Sequence, residues 1–390
     1  MKLIKFFIAI VLFANSVQVF AKNLNSPTDS TIATKRIEVI TNKNVELFGL
    51  MLQLDNGPYL AQHSKDSVTI DGKRVSVLVW RAKTYINYQR YKKFDTCAIM
   101  KAFRNYRSRH LWDDFFIGFL LEVDEVPYAR INAGTDDKVL RSFSQKGDLE
   151  KGTKNATEFL NMLNDFYEQV DFDSYLKENQ VYYDLARANV EKNLPPGNLI
   201  PVMEAFYQKS FNGYIMVPSL NIPSGQNYGH MNHKTQIIYN TFGPSTLQTF
   251  DPKDPKIGYD QPRHIRDLSV HEFGHSFVNP AIDKVPDTLI ESSAYLYKPI
   301  EETMSKQSYP NWKICLYEHF VRAGEVMIAR KLGDQITADR ILNESPKSGY
   351  IYLPEIVSEL EKYDRNRQQY TSYDAFVPLV VERLKQLHHQ

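Results

Sequence analysis

The sequence predicts an α+β fold, mainly helical, with a small mixed or antiparallel sheet next to one functional helix. Three observations carry that expectation. Apolar residues recur at helical spacing over much of the chain, as in Phe159, Leu160, Leu163, Phe166 and Tyr167. Two stretches read as strands, Gly213 to Leu220 and Thr235 to Phe242, the second through the β-branched and aromatic run Ile237-Ile238-Tyr239. His271-Glu272-Phe273-Gly274-His275 sets two histidines four residues apart, a spacing that brings both imidazoles to one face of a helix.

The first residues read as an export signal. Lys2 and Lys5 give a basic start, and the apolar run Phe6 to Ala14 is too short to span a bilayer. Val19-Phe20-Ala21 fits a small-residue cleavage site. The expected mature chain begins near Lys22 and is periplasmic or extracellular, with no membrane span. Residues 22–33 are polar and aperiodic, a flexible lead-in. A helix-rich N-terminal half should occupy 34–197 and a metal-binding half 198–390, divided at Leu194-Pro195-Pro196-Gly197.

Within the first half, Val45, Leu47, Leu50, Met51 and Leu54 predict a helix, and Val75 to Trp80 a short strand. Arg90, Lys92, Lys93, Lys101, Arg104, Arg107 and Arg109 form a basic stretch, read as a solvated helix face in preference to a docking patch. Phe115 to Leu121 is a core element by length. Asn155 with Glu158 resembles a capping box opening a helix, and a second helix is expected over Ser174 to Glu191. In the second half, Ile222 to His233 reads as a loop or hairpin. The proline-bearing segment Gly243 to Arg263 reads as a long loop. Pro262 suits a helix's first turn and Asn279-Pro280 should stop it, giving one helix over His264 to Val278.

Composition adds limits. The 390 residues are 43% hydrophobic and 13% aromatic, enough for a sizeable core. With 47 basic and 46 acidic residues the formal charge is +1, which gives no reason to expect nucleic acid as a partner. Cys97 and Cys315 either pair, as an exported chain permits, or stay as two buried thiols. Oligomeric state is left open.

The HExxH motif carries the chemistry. Two imidazoles on one helical face reach a single ion, and Glu272 reaches a water on it, the working end of a zinc-dependent hydrolase. A catalytic zinc needs a third protein ligand and one open position. Two carboxylates compete. Glu291 lies in a helical stretch from Asp287 to Tyr297. Glu318 shares a helical stripe with Cys315, His319, Arg322 and Val326, while Leu316, Phe320 and Met327 take the other side. An acid, an imidazole and a guanidinium clustered in an apolar helix favour Glu318.

His271 to Pro280 and Glu318-His319-Phe320-Val321-Arg322-Ala323 together resemble a zinc metallopeptidase of the glutamate-zincin type. More narrowly, they resemble a bacterial family of exported HExxH proteins of unknown function. Val45-Glu46-Leu47, Leu54 and Tyr59 are similar to that family's start. Gly274, where such sequences often carry Ser, is a departure that leaves the ligands untouched. The resemblance implies a zincin-like core and peptidase activity, brings no substrate, and adds weight to Glu318.

The expected activity is hydrolysis of peptide bonds in a peptide or protein substrate. His271, His275 and Glu318 (or Glu291) hold Zn2+, and Glu272 is the general base. His319 and Arg322 either stabilise the oxyanion or support a ligand, and Tyr295 is a further donor. Thr235 to Phe242 either pairs with an extended peptide or is an interior strand. Two alternatives stand beside this. One is a zinc-dependent hydrolase of non-peptide amides, with Cys97 as a ligand. The other is a non-catalytic exported binding protein. His230, His233 and His264 are read as solvated or core histidines.

Overall fold

A computed structural model describes residues 36–387, apart from 71, 110, 252 and 371. The expected export signal and lead-in lie outside the described residues. A short strand β1 (Ile37–Val39) leads into α1 (Lys43–Gln62), whose first turn is capped by Asn42 accepting from the Val45 amide. Val45, Leu47, Phe48, Leu50, Met51 and Leu52 are all fully buried. Asn44, Glu46 and Gln53 are buried with them, so the first part of α1 is enclosed on every side.

A hairpin of β2 (Ser67–Ile70) and β3 (Lys73–Ser76) follows. The strand expected over Val75 to Trp80 stops at Ser76. The Ser76 hydroxyl accepts from the Leu78 amide and starts a helical turn, α2 (Val77–Trp80), instead. Then come α3 (Ala82–Tyr91), α4 (Ala98–Arg107) and α5 (Asp113–Leu121). Three of their basic residues are paired with acids. Arg104 and Arg107 reach Asp55 at 2.7 and 2.5 Å, and Arg90 reaches Glu178 at 2.5 Å.

After α6 (Asp137–Ser142), α7 (Leu149–Gln169) begins seven residues earlier than the Asn155 capping box implies. Asp148 caps it by accepting from Lys151, and Asn155 sits inside the helix with its amide donating to the Phe143 carbonyl at 2.9 Å. The helix expected over Ser174 to Glu191 is α8 (Phe172–Lys192). The Leu194–Gly197 break separates it from α9 (Leu199–Tyr207). Both sides of that break belong to one compact unit.

The sheet joins the two halves. Strands β4 (Gly213–Pro218), β5 (Asn227–Asn232) and β6 (Ile237–Phe242) assemble with β1 in the order β1-β4-β6-β5. β1, β4 and β6 run parallel, and β5 returns antiparallel to β6, so the sheet is mixed. Of the two readings of Thr235 to Phe242, the interior one holds: it contains β6, and the edge strand beside α10 is β5.

The motif helix, α10 (Pro262–Asp283), starts at Pro262 as expected but runs through Pro280. Proline lacks the N–H that would bond the Ser276 carbonyl. Lys209 Nζ donates to that carbonyl at 3.3 Å, so the helix continues past the proline. The remaining helices are α11 (Asp287–Ser293), α12 (Glu301–Ser305), α13 (Trp312–Lys331), α14 (Gln335–Glu344), α15 (Leu353–Arg365) and α16 (Tyr373–Leu387). α13, capped by Asn311, packs along α10, and β5 lies over α10 on another side. No helix among the described residues is long and apolar enough to cross a membrane. Cys97 and Cys315 are both free thiols.

Candidate metal centre

His271 and His275 stand one turn apart on α10, and α13 sets Glu318 opposite them. The two Nε2 atoms are 3.3 Å apart. Glu318 Oε1 lies 3.5 Å from His275 Nε2, and Oε2 lies 3.7 Å from His271 Nε2. Glu318 is 7% exposed, and its Oε2 is a buried oxygen with no hydrogen-bond partner.

The outer nitrogens of both rings have partners. His271 Nδ1 lies 2.5 Å from Glu325 Oε1, and His275 Nδ1 lies 3.1 Å from Asn279 Oδ1. Both partners accept, so both Nδ1 atoms carry the proton in the neutral rings. That leaves two Nε2 lone pairs and a carboxylate converging on one point. Three acceptors so placed repel one another unless a cation lies among them. Four-coordinate zinc with bonds of about 2.0–2.1 Å holds its ligand atoms roughly 3.3–3.5 Å apart. Two of the observed separations, 3.3 and 3.5 Å, fall in that range, and the third, 3.7 Å, is slightly longer.

The supporting groups are tuned to each other. Burial alone would lower the His271 pKa, but the hydrogen bond and charge of Glu325 raise it. Burial would likewise raise Glu325, yet Arg322 and His271 hold its carboxyl below the usual range. Arg322 donates to both Glu325 oxygens, at 3.3 and 3.0 Å.

Glu272 is 5% exposed and accepts a hydrogen bond from the Asn227 amide at the start of β5. Beyond His275, a 390 Å³ cavity runs between α10 and β5, lined in part by Asn279, Gly229, His230, Met231 and Lys138.

The family model described as "Domain of unknown function (DUF4932)" matches residues 82–383. The chain belongs to the DUF4932 family. No curated protein and no solved structure matches it.

In this DUF4932 protein the competition between the two carboxylates has a geometric outcome. Among the described residues, His271, His275 and Glu318 are the one group of three or more His, Cys, Asp or Glu side chains with ligand atoms gathered within 4.8 Å. Glu291 is exposed on α11 and outside that group. His319 lies in the core, and its Nε2 is buried with no hydrogen-bond partner. It is fully buried, its Nδ1 sits 2.8 Å from the Cys315 carbonyl, and its ring packs against Trp312, Tyr350 and Tyr352. Burial pushes its pKa down to about 4. Arg322 is paired with Glu325, the acid that holds His271 Nδ1. Tyr295 donates to the Lys385 carbonyl. His230 is held by Glu122 at 2.8 Å.

Three residues at the site were not singled out from the sequence. Glu325 lies two turns beyond Glu318 and Asn279 one turn beyond His275, so helical spacing held a signal for both. Asn227 reaches Glu272 across 45 residues of chain, and no local pattern marks it.

Proposed function

We propose that this protein is an exported zinc-dependent metallopeptidase of the glutamate-zincin type. One observation carries the reading: two Nε2 lone pairs and a buried carboxylate converge, with both tautomers fixed from outside. His271, His275 and Glu318 would hold the ion, and two histidines with a glutamate are a catalytic zinc set with one position left open. Bound there, zinc polarises a carbonyl and acidifies water.

The rest is done by the chain. Glu272, on the same helix, takes the proton from the attacking water and passes it to the leaving amine. Glu325 and Asn279 fix the imidazole orientations, and Arg322 holds Glu325. The open edge of β5 offers backbone groups to an extended peptide beside Glu272. That edge favours peptide over a small amide, and the clustered carboxylate leaves Cys97 no part in binding metal.

The test is digestion of casein by purified protein with and without a chelator, read by mass spectrometry. The parent should cleave, the chelator should abolish cleavage and added zinc should restore it. Glu272→Gln should keep zinc and lose at least about 100-fold in rate. Zinc-loaded parent with no cleavage, or a Glu272→Gln protein as active as the parent, contradicts the reading.

A further inference from the structure

β5 meets Glu272 at two points. Asn227 donates its side-chain amide to Glu272 Oε1. Gly229 brings bare backbone against the other oxygen. A Cβ there would stand 3.1 Å from Oε2 and 3.3 Å from the Glu272 carbonyl oxygen, closer than side chains ordinarily approach. Residues two apart in a strand face the same way, so both features point at the helix.

We propose that Asn227 and Gly229 are positioning residues, which hold the Glu272 carboxylate with one oxygen occupied and the other free to take a proton. The proposal rests on Glu272 being the general base. A glutamate side chain left loose has several rotamers, and an ångström of misplacement costs a catalytic group about 100-fold. Asn227 removes that freedom, and the missing side chain at 229 makes room for the pose. The same strand carries the open edge proposed to receive substrate. One element therefore sets both the substrate's register and the base's position.

The alternative is that Asn227 merely ties β5 to α10. Two readouts separate these. In zinc-loaded full-length protein, Asn227→Ala and Gly229→Ala are assayed on one casein-derived peptide. Both should lose roughly 10- to 100-fold in kcat with KM within about twofold and zinc content unchanged. Asn227→Gln, which restores a donor, should recover part of the loss. In crystal structures of parent and Asn227→Ala, the Glu272 carboxylate should move while His271, His275 and Glu318 superimpose. Parent kcat in Asn227→Ala, or an unmoved carboxylate, overturns the proposal. If the parent cleaves no peptide, the proposed function fails, and the crystallographic comparison still decides the positioning.

Discussion

Glu325 Oε1 stands 2.5 Å from His271 Nδ1, two turns along α13 from Glu318. A single helix thus supplies the carboxylate that completes the cluster and the carboxylate that orients one of its imidazoles. Arg322 lies between them in sequence and binds the second, which keeps that buried charge paired.

In the proposed metal site, affinity should therefore depend on Glu325, which touches the outer nitrogen of His271. Glu325→Gln keeps an acceptor for Nδ1 but loses the charge and should weaken zinc binding about 10-fold. Glu325→Ala should weaken it nearer to 100-fold. Competition against a fluorescent chelator measures both. Parent affinity in the alanine variant would remove Glu325 from the account.

A second buried acid makes stability depend on pH. Glu46 in α1 is 1% exposed, and burial pushes its pKa up to about 7 despite hydrogen bonds from Ser219 and Tyr183 and the charge of Lys83. Tyr175 and Tyr259 also face it. Between the ordinary 4.5 and 7 the folded state binds more protons than the unfolded one. Its contribution is thus complete below that window and is lost as pH rises through it, by about 3 kcal/mol at most. Glu46→Gln stays neutral. Urea unfolding should show the variant gaining on the parent from pH 5 to pH 8. A gap that does not change with pH would contradict the assignment.

Lys209 is expected to matter because of Pro280. Its Nζ donates to the Ser276 carbonyl that the proline leaves without an N–H. Lys209→Met should cost about 1–2 kcal/mol in urea unfolding. In a Pro280→Ala background, where the helix makes its own bond, the same change should cost less. Equal costs in the two backgrounds would mean that Lys209 does not compensate for Pro280.

What the sequence disclosed follows from how local each feature is. The HExxH face, the polar stripe on α13, and α8 are periodic within one element, and each was legible. The interior position of β6 was not, because strand order depends on pairing between segments far apart, β1 with β4 among them. The N-terminal limit of α7 depended on which of two polar residues captured the first turn, and Asp148 took it. Pro280 looked like a stop because Lys209, 71 positions earlier, is invisible to local rules. That Glu318 and not Glu291 clusters with the two histidines depends on the packing of α13 on α10, and the stripe only favoured it. The Asn227–Glu272 bond has no sequence signature at all.

The central claim is that His271, His275 and Glu318 bind one zinc ion. Its most direct test is zinc stoichiometry, by plasma mass spectrometry, after loading and dialysis. Parent and Glu291→Ala should each hold one zinc per chain, and Glu318→Ala and His275→Ala should hold almost none. A parent that emerges metal-free, or a Glu318→Ala protein that keeps its zinc, would contradict it.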